Sequence, residues 1–262
     1  MHDNRSPGAV LKRERVRAHL LALVEDRRPG DAIPSERTLS AQLGVSRPTL
    51  RAAVDELVAT GLLVREHGRG MFVAPAKITQ ELVAESGPAT APHAPGAWTS
   101  RVLEFRAVTA GARVGRKLNV SPAAELVYVA RLRLVDGAAI ALEYLHIPAD
   151  LVPGLTPEQM ETGFYAYLRK ERRVTTARAV QSIEPTVLSE GEAQLLGVPE
   201  LSPALLFDRV TSDSAGRPVE YVRSLYRGDR YRIVSRLALG PAGDDRPAPD
   251  ASRSASWWGT VE

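Results

Sequence analysis

The chain has 262 residues, 44% of them hydrophobic and 25% charged, enough for one large folded unit or two modest ones with a solvated surface. No apolar run reaches the roughly eighteen residues of a membrane-spanning helix, and the polar start, Met1 to Gly8, lacks a secretory apolar segment. A cytoplasmic location is expected, and the absence of cysteine excludes disulfides, thiolate metal sites and a cysteine nucleophile. The formal charge of +3 is unevenly spread: residues 1–75 hold 12 Lys and Arg against 9 Asp and Glu, whereas the remainder holds 22 of each. A basic head on a neutral body is the charge distribution of a nucleic-acid-binding protein.

Helical periodicity opens the chain. Val16, Leu20, Leu23 and Val24 follow the spacing of one buried face, and Arg28-Pro29-Gly30 ends that helix. Ser35 is placed to cap a short second helix carrying Leu39 and Leu43, with Gly44 at its left-handed stop. Ser46 caps a third helix, with Pro48 in its first turn, Leu50, Val54, Leu57 and Val58 on its apolar face, and Gly61 at its close. Two short β runs, LLVRE and MFVA, follow, joined by the glycine-rich turn His67-Gly68-Arg69-Gly70.

Helix, helix-turn-helix and two-stranded ribbon together make a winged helix. In such a module the helix opened by Ser46 enters the major groove by its first turn. Arg47 and Arg51, with Ser46, Pro48 and Thr49 beside them, suit phosphate contacts and bidentate reading of guanine edges. Arg37 is placed to grip backbone phosphate, and Arg69 or His67 to probe a narrow minor groove. The run PGDAIPSERTLSAQLGVSRPTLRAAVDELVATGLLVREHGRGMFV closely resembles the DNA-binding domain of GntR-family bacterial transcription regulators, over about residues 11–75. The resemblance implies DNA contacts at Arg37, Ser46, Arg47, Pro48, Thr49, Arg51, His67, Gly68 and Arg69, although most members carry Thr at the place of Pro48.

The stretch SGPATAPHAPGA, residues 86–97, reads as a linker, and the chain after Gly240 as a disordered tail in which Trp257 and Trp258 are the only large apolar pair. Between them the period shortens. Strands are expected over 101–110, 126–135, 139–147, 174–187, 203–212, 217–227 and 231–239, with hairpin turns at Asp136-Gly137 and Ser214-Ala215-Gly216. Helices are expected near 161–171 and 189–196. Hairpin-linked strands mean a largely antiparallel sheet, so the class is α+β. The expected domains are a winged head over 8–76, a linker over 77–98, a sheet body over 99–239 and a tail over 240–262.

Bodies of other kinds are found on such heads. A helical metal-binding body needs several histidines, and residues 99–262 hold only His146; a body that binds pyridoxal phosphate needs several hundred residues. The elements SRVLEF, RLRLVDGAAIALEYLHIP and GRPVEYVRSLYRGDRYRI resemble instead the effector-binding UTRA domain of the HutC subfamily, which has a chorismate-lyase-like fold. The resemblance implies pocket residues at Arg131, Arg133, Glu143, Glu220 and Tyr226.

Alternation supports part of that set independently: Arg131 and Arg133 project from one strand face, and Glu220, Ser224 and Tyr226 from another. A two-residue Asp136-Gly137 turn puts Leu142 opposite Arg131, whereas a three-residue loop puts Glu143 there, so the pocket calls for the longer loop. Such a site holds a small anionic, hydroxylated or zwitterionic ligand. Only Thr99 and Ser100 stand where sugar-phosphate-sensing relatives carry a loop rich in Ser and Thr, which favours a different small anion. Arg227, Asp229 and Arg230 read as a structural ion cluster, and Phe164 and Tyr165 as core.

No catalytic set, metal site or cofactor is expected; Glu143 and Glu220 read as binding groups rather than an acid–base pair. The expected protein is a homodimeric transcription regulator, a repressor, with palindromic double-stranded operator DNA and a small effector as partners. Two rivals are a constitutive DNA binder whose body only dimerises and a regulator that retains lyase-type activity.

Overall fold

Three helices and a small sheet build the first unit of the structure, a computed structural model that describes residues 7–66, 68–82 and 96–235. They are α1 (Pro7–Glu25), α2 (Glu36–Leu43) and α3 (Arg47–Ala59), with β1 (Ala32–Ile33), β2 (Leu63–Glu66) and β3 (Gly70–Val73). The caps fall where the sequence puts them. The Thr38 amide donates to Ser35 Oγ at 3.2 Å and the Thr49 amide to Ser46 Oγ at 3.3 Å, each satisfying an otherwise unpaired donor of a helix start. Gly44 adopts φ 61°, the left-handed conformation that ends α2 without a Cβ penalty. Val16, Leu20, Leu39, Leu50, Val54, Leu57, Leu63 and Met71 form one core under the three helices. β1, too short to read from sequence, pairs with β3 and completes a three-stranded sheet in the order β1-β3-β2.

The second unit is a six-stranded antiparallel sheet. Its strands are β5 (Trp98–Thr109), β6 (Glu125–Val135), β7 (Ala138–Pro148), β8 (Thr176–Val187), β9 (Pro203–Asp213) and β10 (Pro218–Arg227), in the order β5-β6-β7-β10-β9-β8. Helices α5 (Pro157–Thr162) and α6 (Phe164–Glu171) pack on one face through Met160, Phe164 and Leu168, which meet Val129, Leu145 and Val222. We call this the inner face. Helices α4 (Gly111–Leu118) and α7 (Glu190–Leu196) cover the outer face, α7 through Ala193 and Leu196 against Leu132, Leu142 and Leu225. Among the described residues no helix is long and apolar enough to cross a membrane.

Four further differences from expectation have physical causes. The helix expected over 161–171 is two helices, because Gly163 breaks the run. Helix α4 was not expected at all: it is only eight residues long, two of them glycine, and its stop is the left-handed Asn119, φ 53°. Part of the expected linker is a strand: β4 (Ile78–Leu82) pairs in parallel with β11 (Tyr231–Ser235), and Ile78 is buried with Tyr226 and Tyr231. A single strand has no partner visible in its own sequence, so this segment read as connection. Finally, the β6–β7 turn is the two-residue kind, with Val135 opposite Ala138 and both Asp136 and Gly137 at positive φ. A bulge at Ile140 then shifts the register by one, which still brings Glu143 opposite Arg131. The residue pair was expected correctly and the device that makes it was not. Residues 83–95 of the expected linker, the last part of the strand expected over 231–239, and the tail with Trp257 and Trp258 lie outside the described residues, and β5 begins at Trp98, inside the expected linker.

Candidate functional site

In the first unit the start of α3 is bare. Ser46, Arg47 and Pro48 are exposed, and Thr49 is half-buried with its hydroxyl 2.8 Å from that of Ser46. Pro48 sits in the first turn, where a missing amide hydrogen costs nothing. Arg37 and Arg47 are exposed, with no ion-pair partner among the described residues. Arg51, with 69% of its side chain exposed, stands 3.4 Å from Glu36. Glu36 also takes Arg65, which bridges to Asp55, so these pairs brace α2, α3 and β2. At the wing tip Gly68 and Gly70 have φ of 71° and 118°, which favours glycine. Arg69 pairs locally with Glu66 and lies over Phe72, yet 71% of it is exposed. His67 lies outside the described residues.

In the second unit cross-strand register gathers the expected pocket residues on the inner face. One row runs Arg131, Glu143, Ser224 and Phe207 across β6, β7, β10 and β9; the next runs Ser100, Arg133, Ala141, Tyr226 and Leu205. Arg131 and Glu143 pair at 2.7 Å with side chains only 9% and 6% exposed, and Arg131 also donates to the Met160 carbonyl of α5 at 2.8 Å. Burial alone pushes the Glu143 carboxyl up, but the guanidiniums of Arg131, Arg133 and Arg209 outweigh it and hold the group below its ordinary value. Burial raises the Tyr226 phenol, with the Glu143 carboxylate adding to it. The Tyr226 hydroxyl lies 3.5 Å from Glu143, and its ring meets that of Tyr231 at 4.3 Å, tilted by 35°.

Glu220 is fully buried, two rows away, and accepts from the hydroxyls of Thr211 at 2.8 Å and Tyr165 at 2.5 Å. Arg209 donates to Tyr165 at 3.0 Å and stands 3.5 Å from Glu220. Phe164 is core and Tyr165 packs against that core, as expected, but the Tyr165 hydroxyl is also a polar member of the buried cluster. Sequence reasoning missed Arg209, Thr211 and this role of Tyr165. The register of the β9–β10 hairpin held a signal for two of them, since it sets Thr211 opposite Glu220 and Arg209 opposite Val222, between Glu220 and Ser224. Arg133 donates to Ser100 at 3.0 Å and lies over Trp98. Arg227 forms a two-bond pair with Asp229 and donates to the carbonyls of Ala139 and Leu196, whereas Arg230, expected in the same ion cluster, makes no ion pair there among the described residues.

A helix-turn-helix unit with an exposed basic helix start, carried beside a sheet that encloses paired charges, defines a DNA-binding regulator with a separate ligand-sensing domain. The family model for bacterial regulatory proteins of the gntR family matches residues 12–73, and that for the UTRA domain matches residues 94–232. The chain belongs to the gntR family of transcription regulators, in its UTRA-bearing HutC branch. It is 35% identical to the transcriptional repressor PhnF of Mycolicibacterium smegmatis, over 86% of this chain and 92% of that protein. It is 31% identical to the transcriptional repressor NagR of Bacillus subtilis, over 79% of this chain and 85% of that protein. The crystal structure of PhnF from Mycobacterium smegmatis is similar with a TM-score of 0.56 at 30% identity, covering 86% of this chain and all of that one. Regulators of this family bind operator DNA and effector metabolites.

Proposed function

We propose that the chain is a homodimeric, cytoplasmic repressor whose sheet domain takes a small anion on its inner face and thereby changes operator affinity. One observation carries the effector part. The guanidiniums of Arg131, Arg133 and Arg209 share that face with the carboxylates of Glu143 and Glu220, so one positive charge is left over in a largely buried cluster. Arg133 Nε, Arg209 Nε and Glu220 Oε2 are buried there without a hydrogen-bond partner. Buried charge without compensation is costly, and a cluster selected for stability alone would balance it. A bound anion balances the charge and accepts from the Arg133 and Arg209 Nε–H groups, while Glu220 Oε2, Glu143, Ser224 and Tyr226 are available for its hydroxyl or amino groups.

The head binds operator DNA through Arg37, Ser46, Arg47, Pro48, Thr49 and Arg51, with Gly68 and Arg69 at the wing. Two heads related by a two-fold axis read the halves of a palindrome. The names of NagR and PhnF as repressors support that sign of control. The body acts as a sensor and catalyses nothing: its carboxylates are held by arginines rather than poised as acid and base.

Coupling has a short physical route. Tyr226 is followed by the Arg227–Arg230 turn, in which Asp229 lies so close to Gly61, just past α3, that a Cβ at Gly61 would overlap its carbonyl. Lys77 donates to the Gly228 carbonyl at 2.6 Å and the Ile78 amide to that of Arg230 at 2.8 Å. An anion that shifts β10 therefore moves the turn on which the head rests. The test is anisotropy of the full chain on its own upstream DNA at two salt concentrations, with a panel of small carboxylates, phosphonates and sugar phosphates. Salt-sensitive binding released by one anion supports the reading; tight binding indifferent to every anion contradicts its effector half.

A further inference from the structure

The outer face of the same sheet carries an open cleft of about 370 Å³, separated from the inner cluster by the sheet itself. Two adjacent cross-strand rows make its floor. Arg106, Tyr128, His146 and Tyr221 are successive partners across β5, β6, β7 and β10, and Tyr144 and Arg223 are partners in the next row on that face. Arg113 and Val114 of α4 and Glu192 of α7 complete the lining. This volume lies within the range of small-molecule sites.

The lining is aromatic and mainly cationic, and its carboxylate, Glu192, accepts from the Ser189 amide at 2.9 Å and hydroxyl at 2.8 Å. The His146 ring lies 5.2 Å from Tyr128 and 5.8 Å from Tyr221, stacked on the latter at 26°. The Arg106 guanidinium, paired with Glu104, covers Tyr128 at 4.9 Å, and the Lys117 ammonium stands 6.0 Å from the Tyr221 ring. Asp208 is engaged by the Tyr221 hydroxyl at 2.8 Å. Two polar atoms in the lining, His146 Nδ1 and Arg223 Nε, are buried and have no hydrogen-bond partner. Packing alone does not explain why an imidazole and a guanidinium are brought into one cleft and left unpaired. The aromatic row supplies flat faces for a ring, and Arg223 a planar fork for a carboxylate, with Arg113 as a second cation.

We propose that this outer cleft is a ligand site for a small planar organic anion of the aromatic-carboxylate class, its ring on the Tyr128–His146–Tyr221 row and its carboxylate on Arg223 and Arg113. The site is separate from the effector site proposed above, and either reading stands without the other.

Benzoate is the probe, titrated into the full chain by calorimetry. Saturable binding with a Kd near or below about 1 mM is expected. It should weaken about 10-fold or more in Arg223→Met, which removes a charge-assisted hydrogen bond, and stay unchanged in Arg178→Met, an exposed position on the edge strand β8. A second readout survives a poorly folded variant. Burial, with the Arg106 charge adding to it, holds the wild-type His146 imidazole below its ordinary value, and Arg113, Arg223, Glu192 and the flanking Tyr128 and Tyr221 also face it. A bound carboxylate raises that value, seen as an upward shift in the pH midpoint of the imidazole C–H resonance. No saturable binding, binding as tight in Arg223→Met as in wild type, or an unmoved His146 midpoint each overturns the proposal.

Discussion

The two arginine sets of this molecule differ in what surrounds them. At the start of α3 and in the wing, Arg47, Arg51 and Arg69 stand largely in water, unpaired or beside one carboxylate each. On the inner face of the sheet Arg131 and Arg209 lie among Glu143, Glu220 and Tyr165, most of their surface removed from solvent. An exposed pair is worth little and exchanges readily for phosphate. A buried pair is costly to break and so fixes the shape of its pocket. The same residue type thus serves a surface that meets a polyanion and a site that must discriminate among small anions.

The largest effect that tests this contrast is expected at Glu143. Glu143→Gln leaves Arg131 without its buried counter-charge and should cost about 3–5 kcal/mol, lowering Tm by on the order of 10 °C in a calorimetric scan. Arg47→Ala should leave Tm within about 1 °C of wild type, as exposed substitutions do. Its operator affinity should instead fall by about 1–3 kcal/mol, with a shallower salt dependence, measured by anisotropy. Equal thermal effects of the two substitutions would erase the distinction.

Gly61→Ala probes the contact between head and body. It places a Cβ at φ 70° against the Asp229 carbonyl, so a destabilisation of about 1–2 kcal/mol is expected together with a weakened effect of ligand on operator binding. A full ligand response in that variant would show that the coupling runs elsewhere.

The smallest effect is one of pH. The folded Glu143 carboxyl titrates below its ordinary 4.5, so the unfolded chain takes up this proton first as pH falls. The stability it confers is fully present above 4.5 and lost as pH drops through the lowered folded value. The gap in denaturation midpoint between wild type and Glu143→Gln should therefore narrow in acid; a gap that stays constant below pH 4.5 would contradict the ion-pair account.

Local chemistry made much of this legible. Ser35, Gly44, Ser46 and Pro48 mark helix ends through bonds within a few residues of themselves, and each does so in the fold. Alternation placed Arg131 with Arg133 and Glu220 with Ser224 and Tyr226 on shared faces, all on the same side of the sheet. What stayed hidden depends on distant chain. Ile140, fully buried among Tyr226 and Tyr231, is bulged within a hairpin whose residues Asp-Gly-Ala-Ala suit either loop length. The bonds of Tyr165 to Arg209 and Glu220 span 44 and 55 residues, and nothing in a helix with an aromatic pair announces a polar partner. β4 finds its neighbour in β11, over a hundred residues away.

The central claim is that anion binding on the inner face and operator binding by the head oppose each other through one shared equilibrium. Such coupling is reciprocal. The direct measurement is the Kd of the releasing anion for the free protein and for the operator-bound protein. The account predicts that operator weakens the anion by the same factor by which the anion weakens operator. Equal anion affinities in the two states would contradict it.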